Sequence, residues 1–206
     1  VRPPEPLLEQ SPLQHYEEDV LLERVWDPRG HAVGRMAPAG YVVRTDFDGS
    51  AFELIAGGLR NAYDIAFDAN GELFTYDADM EWDIGTGWYR YPRVVHVVSG
   101  GETGWRGGSA KWSDAWPDAN PPVVETNVGS PTGIRFPYDS SFPEPWRSSL
   151  LISDWSWGRV YAVQLQPDGA GWTGDIKPFL SGKPFNITDL DVGADGHLYC
   201  ITGGRG

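Results

Sequence analysis

Four acids at alternate positions, Asp77, Asp79, Glu81 and Asp83, stand in the stretch "YDADMEWD". If the stretch is extended, they share one side, with Ala78, Met80 and Trp82 on the other. Like charges about 7 Å apart repel by roughly 2 kcal/mol at an effective dielectric near 20, and by a few tenths in open water. The cluster therefore faces solvent, faces a substrate, or surrounds a cation. Calcium suits an all-oxygen set, and Arg60 or Arg93 would serve in its place. The spacing is not that of an EF-hand: the sixth position from Asp77 is Trp82 and the twelfth is Trp88, where glycine and glutamate are needed. Just upstream, Arg60-Asn61 offers a rigid guanidinium fork and an amide, a pair suited to an anionic cofactor or an oxidised sugar. Four histidines, His15, His31, His96 and His197, do not cluster in sequence, and His96 inside "RVVHVV" reads as structural. The chain has no nucleophile elbow, phosphate loop or zinc-protease motif.

The elements that must carry these residues are short. The 206 residues include 26 Gly, 17 Pro and 10 Trp, and long runs of helix formers are absent. That mixture predicts many strands joined by tight turns. With 16 basic and 29 acidic residues the net charge is −13, which argues against binding nucleic acid or an anionic membrane through a basic patch. No membrane span is expected, because no stretch approaches the roughly 18 apolar residues one needs. One cysteine, Cys200, cannot form an internal disulfide and reads as a small buried hydrophobe.

Two internal repeats organise the chain. "YDIAFDANGELFTY" from Tyr63 matches "TDLDVGADGHLYCI" from Thr188. Asp64 aligns with Asp189, Gly71 with Gly196 and Leu73 with Leu198, each offset by 125 (189 − 64). Each copy is a strand, an Asn-Gly or Asp-Gly turn and a second strand. "GYVVRTDFDGSAFELI" from Gly40 pairs in the same way with "GRVYAVQLQPDGAGWT" from Gly158. In order, the copies predict four-stranded blocks: an outer half over about 40 to 57, full blocks over about 61 to 128 and 132 to 182, and a half block from about 186. Four-stranded sheets repeated around an axis are propeller blades. The expected fold is all-β, an incomplete arc of about three blades of a six-bladed β-propeller over residues 27–206. Residues 1–26 form a leader or peripheral segment, where "QHYEEDVLLERVW" has some helical charge pattern. Residues 104 to 128 are expected to be a long loop sheltering Trp105, Trp112 and Trp116.

Strand parity then sorts the polar residues. The turn entering a blade's first strand and the turn between its second and third strands lie at the same end. This places Arg60-Asn61, Ser130 and Thr132, and Asn186 to Asp189 with Asp77 to Asp83, Asp154-Trp155-Ser156 and Gly203-Gly204-Arg205. His31 belongs to the same class of turn.

These residues carry a resemblance. Gly58-Leu59-Arg60-Asn61, the strand pair after it and "SGGETGWRGG" resemble the glucose/sorbosone dehydrogenase family of six-bladed propellers. "LLISDWSWGRVYAVQL" and "DLDVGADGHLYCITGG" are similar to its later blades. "RGHAV", "YDADMEWD", "GSPTG", "FLSGKP" and "ITGGRG" are closer to one bacterial subgroup, the membrane-bound dehydrogenase or haem-binding domain proteins. The resemblance implies a periplasmic or cell-surface oxidoreductase acting on sugars or related alcohols and aldehydes. It implies pyrroloquinoline quinone (PQQ) and calcium as cofactors, and electrons passed to a quinone or to a haem partner, a cytochrome c domain elsewhere in a parent protein. Arg60 and Asn61 match the pair that contacts the quinone. Ser130, Thr132, Asp154, Trp155 and Asp189 are the further expected cofactor residues, and Asp77, Asp79, Glu81 and Asp83 the expected metal ligands. The departures are Ala62 for the usual proline, Asp64 for a glycine, Trp155-Ser156-Trp157 for a lysine turn, and Asn186 and Thr188 for two arginines. The family's histidine base belongs to a blade upstream, so His31 is not read as its counterpart, the catalytic residue is left unassigned, and this chain alone is expected to be inactive. A non-catalytic propeller binding a glycan or partner protein is the alternative, and a metal-dependent lactonase-like hydrolase a third.

Overall fold

The computed structural model describes residues 9–16 and 23–204. Part of the expected helical segment, residues 17–22, and Arg205 lie outside the described residues. The protein is all-β and is part of a β-propeller. Thirteen strands are present among the described residues: β1 Gly40–Thr45, β2 Phe52–Leu59, β3 Ile65–Phe67, β4 Leu73–Asp77, β5 Arg93–His96, β6 Gly101–Glu102, β7 Pro122–Glu125, β8 Pro131–Arg135, β9 Leu150–Asp154, β10 Arg159–Asp168, β11 Gly171–Ser181, β12 Ile187–Val192 and β13 Leu198–Thr202. No helix among them is long and apolar enough to cross a membrane. The chain divides into two compact units, one of Val1–Asn61, Asp79–Arg90 and Val97–Pro121, the other of Ala62–Ala78, Tyr91–His96 and Pro122–Gly206.

The second unit holds the blades. Its sheets run β3-β4-β5-β7 and β8-β9-β10-β11, each an antiparallel meander, with β12-β13 as a two-stranded half. These are the three blocks marked by the repeats. The register of the repeat is visible atom by atom. The Asp64 carboxylate accepts a bond from the Ile65 amide, and the Asp189 carboxylate from the Leu190 amide, both at 2.8 Å. The turns close alike, Asp68 N to Glu72 O at 2.8 Å and Gly193 N to His197 O at 2.9 Å. Gly71 (φ 89°) and Gly196 (φ 76°) take the left-handed conformation that a tight hairpin requires.

Alternation of side chains buries Phe74, Tyr76, Val94, Val123, Ile134, Phe136, Leu150, Ile152 and Val163 in one core cluster. Leu151, Val160, Ala162, Ile187 and Leu190 form a second, against which the partly buried Cys200 packs. His96 is structural as expected: it is buried, stacks on Phe74 and bonds Glu72 at 2.7 Å. One expectation needs correcting. Residues 104 to 128 are not loop throughout, because β7 lies within them, and Val123 supplies the apolar contact that holds this short strand in the core.

The first unit is built on the β1-β2 hairpin, to which β6 adds in parallel register, Ala56 opposite Gly101 and Gly57 opposite Glu102. No further strand lies beside β1 among the described residues. The segment before residue 26 is not detached where it is described. Ser11 Oγ accepts from the Leu54 amide at 2.9 Å, and the Leu13 amide donates to Leu54 O. Packing here is close enough to dictate glycine. A Cβ on Gly58 (φ 74°) would stand 1.5 Å from Glu102 Oε1.

Candidate functional site

An open cleft of about 820 Å³ lies in the first unit. It is lined by His31, Arg35 and Tyr41 from residues 30 to 41, by Arg60 and Asn61 after β2, and by Met80, Glu81, Trp82 and Trp105. Arg60 follows the end of β2, where Gly58 takes a positive φ of 74°. Its guanidinium donates to Glu81 Oε2 at 3.1 Å and lies 3.2 Å from Met80 Sδ.

The acids do not form the extended row that their spacing suggests. Asp77 ends β4 opposite Arg93, and the chain then leaves the strand. Asp79 turns its carboxylate onto the backbone, accepting from the amides of Met80 at 2.7 Å and Arg90 at 2.8 Å. The Asp83 amide bonds Met80 O, closing a 3-10 turn over Glu81–Asp83. Short polar side chains that bond nearby backbone compete with strand pairing in this way.

Protein cations serve the acids that lie in this unit. The Lys111 side chain is 3% exposed, and its Nζ lies 2.8 Å from Asp79 Oδ2 and 2.6 Å from Asp83 Oδ2. Asp79 also accepts from the Trp105 indole at 2.7 Å. This hub holds the turn that carries Glu81 and Trp82 into the cleft. The arrangement does not fit calcium, because an ammonium fills the place between the two carboxylates, and no group of three or more His, Cys, Asp or Glu among the described residues is arranged to hold a metal ion. Lys111, 28 residues downstream of Asp83, has no local sequence signal pointing to the acids.

Trp82 is the other centre of the site. His31 stacks on it with ring centroids 4.5 Å apart and planes at 20°, and the Arg29 guanidinium lies over it at 4.1 Å. His31 Nδ1 faces Asp27 Oδ1 at 3.4 Å, and Asp27 also accepts from the Arg29 amide at 2.9 Å. Burial works to raise the Asp27 carboxyl, but the bonds from Arg29 and His31 outweigh it and hold the group below its usual range. Asp27 and His31 thus form an oriented acid–imidazole pair, with His31 lining the cleft and Asp27 buried behind it. Sequence reading passed over Asp27; the Asp-x-x-x-His spacing of "DPRGH" was the available signal.

The expected cofactor residues of the second unit are brought together, as strand parity requires, but they bond to one another and to backbone. Asp154 accepts from the amides of Ser130 at 2.9 Å and Ser156 at 3.0 Å, and the two serine hydroxyls share a bond of 2.6 Å. Thr132 donates to Ile187 O at 2.9 Å, the Trp155 indole to Gly203 O at 2.7 Å, and Asn186 to Trp155 O at 2.8 Å. These bonds staple β8-β9-β10-β11 to β12-β13. Asp64, where the resemblance has glycine, does similar work: Oδ2 accepts from the Ile134 amide at 3.1 Å, tying β3 to β8. Burial raises the Asp154 carboxyl above its ordinary value despite the amides that stabilise its charge.

No protein-family model and no curated protein matches the sequence. Solved structures do match. An oxidoreductase described as a glucose dehydrogenase from Thermus thermophilus aligns over 73% of this chain and 41% of its own, with a TM-score of 0.59 and 24% identity. The PQQ-bound aldose sugar dehydrogenase of Streptomyces coelicolor aligns over 83% of this chain and 48% of its own, with a TM-score of 0.60 and 18% identity. The apo-form of the soluble aldose sugar dehydrogenase of Escherichia coli aligns over 73% and 44%, with a TM-score of 0.57 and 19% identity. The chain therefore spans less than half the length of each of these three. At such identities the likeness shows the fold, and this chain is part of a β-propeller of the kind on which those sugar dehydrogenases are built.

Proposed function

We propose that the chain is a domain of a sugar oxidoreductase, acting on an aldose or a related alcohol or aldehyde bound in the first-unit cleft, with electrons leaving to a quinone or haem acceptor. The observation that carries the reading is that His31, whose Nδ1 faces the Asp27 carboxylate, lines the same cleft as Arg60 and Asn61. Oxidising a sugar hydroxyl requires removal of the O–H proton. Asp27 holds the Nδ1 side of His31, which leaves Nε2 to accept that proton. Trp82 stacked beneath the imidazole fixes its plane, and Arg60 and Asn61 supply donors to the substrate oxygens. The extracytoplasmic location and the cytochrome c partner rest on the resemblance in the blade motifs.

The cleft is a poor match for PQQ by charge. The quinone bears three carboxylates. The cleft presents Arg35 and Arg60 against Glu81, a formal sum of +1 (2 − 1) before any charge on His31, and Arg60 is already paired. This domain is therefore read as binding substrate and accepting its proton, and no step is assigned to the quinone here.

The test is sugar binding by calorimetry together with dye-linked oxidation in the natural protein. The expected result is aldose binding and dye reduction in the wild type, with His31→Gln retaining binding and losing turnover. Sugar binding with no dye reduction by any form would favour the non-catalytic glycan-binding reading. Equal turnover in His31→Gln would remove His31 as the base.

A further inference from the structure

Every described arginine of the first unit but one has a partner for its guanidinium. Arg24 lies over Trp26 and Arg29 over Trp82. Arg44 pairs with Glu53, Arg60 with Glu81, Arg90 with Asp114 and Arg106 with Glu102. The Arg35 guanidinium has no ion-pair or hydrogen-bond partner among the described residues, and it lines the cleft. In a chain with 29 acids and 16 basic residues, an uncommitted guanidinium is the exception.

The segment that presents it is specifically shaped. Between Gly30 and Ala39 the chain makes successive turns, with Gly30, Ala32, Gly34 and Ala39 all at positive φ (67°, 59°, 76° and 59°). Alanine occupies that region only under constraint, and such constraint gathers at ligand sites. The same turns hold His31 on one side of Arg35 and lead into Tyr41 on the other, all three lining the cleft.

We infer that the cleft selects a sugar carrying a single oxyanion, a carboxylate as in a uronic acid or a sulfate ester, with Arg35 as the anchoring cation. The inference rests on the reading of the cleft as a sugar site. The formal sum of +1 matches one negative charge and not three. Glu81, the one acid among the described residues that line the cleft, is engaged by Arg60 and so does not oppose the anion. A guanidinium binds a carboxylate or sulfate through two parallel N–H bonds, which fixes the direction of the sugar as well as adding affinity. Tyr41 lines the same cleft and supplies an aromatic ring of the kind that packs against the apolar side of a pyranose.

Calorimetric titration of the natural protein with glucose, glucuronate and glucose 6-sulfate tests this. A charge-assisted hydrogen bond is worth about tenfold to a hundredfold in affinity. Glucuronate, the sulfate ester or both should bind at least tenfold more tightly than glucose, and the gap should narrow as salt is raised. Which of the two is preferred identifies the oxyanion. Arg35→Gln should bring the acidic sugars down to the level of glucose, while Arg35→Lys keeps part of the gap. Arg35 is exposed, so circular dichroism of both variants should match the wild type. Equal binding of glucose and both acidic sugars by the wild type, or an unchanged gap in a folded Arg35→Gln, overturns the inference and leaves the sugar-site reading standing. Binding of none of the three by the wild type overturns both.

Discussion

Lys111 Nζ stands 2.6 Å from Asp83 Oδ2 in a place where both side chains are all but sealed from solvent, and Asp79 completes the triad. The ammonium does what a metal ion does elsewhere. It lets two carboxylates approach each other, and it pins the turn that carries Glu81 and Trp82 to the cleft. Removing one partner of a buried ion pair leaves an uncompensated charge, typically at a cost of about 3–5 kcal/mol. Lys111→Met should therefore lower unfolding stability by about that much, read as a shift in the denaturant midpoint. Lys111→Met with Asp79→Asn and Asp83→Asn together should recover part of the loss. A fully stable Lys111→Met would show the hub to be dispensable.

Arg60 is expected to behave in the opposite way. Its partner Glu81 is 58% exposed, and ion pairs of that kind contribute about 0–1 kcal/mol. Arg60→Ala should shift the melting temperature little and weaken sugar binding about tenfold to a hundredfold. A large drop in melting with unchanged binding would make Arg60 a purely structural residue.

His31 and Asp27 should act as a unit. General-base catalysis contributes about 10²–10⁴-fold, and His31→Gln should lose turnover on that scale with its fold intact. Asp27→Asn should lose less, since it removes the orienting charge and not the base. Because the Asp27 carboxyl is held low in the folded protein, its contribution to stability is present above its unfolded pKa and fades as pH falls through the folded value. Stability curves of wild type and Asp27→Asn should therefore differ at neutral pH and converge in acid. Curves that stay parallel down to strong acid would show that Asp27 makes no such contribution.

Asp154 carries the opposite sign. Its carboxyl is raised by burial, so the folded state holds the proton more tightly than the unfolded chain. Stability contributed by the protonated form declines as pH climbs from the ordinary carboxylate range through the raised value. The wild-type minus Asp154→Asn difference in unfolding free energy should fall across that window and level off above it. A difference that rises with pH would reverse the assignment.

Gly58 tests the backbone beneath the site. Its positive φ and the Glu102 carboxylate in the space of a Cβ combine two penalties, and Gly58→Ala should destabilise by about 3 kcal/mol or more. A melting curve within a degree or two of wild type would mean the loop relaxes freely.

The blades were legible in the sequence because their information is local. A hairpin needs a glycine at one φ and alternation on both sides, so the offset of 125 between Asp64 and Asp189 reappears as matching amide bonds and matching turns. Strand parity, again a local rule, correctly gathered Ser130, Asp154 and Asn186. What those groups bond to was not local. The sequence shows that Asp154 and Ser130 are polar and share an end of the blades. Only the fold decides that they satisfy each other and the backbone, because a buried carboxylate takes whichever donors packing brings within hydrogen-bond reach. The acids show the same limit. Their alternation is the pattern of a strand, and the capping bonds of Asp79 overrode it. The cation they called for came from Lys111, far along the chain. Asp27, His31 and Trp82 lie in two separate segments, and the imidazole meets its carboxylate and its indole through the tertiary packing of the first unit.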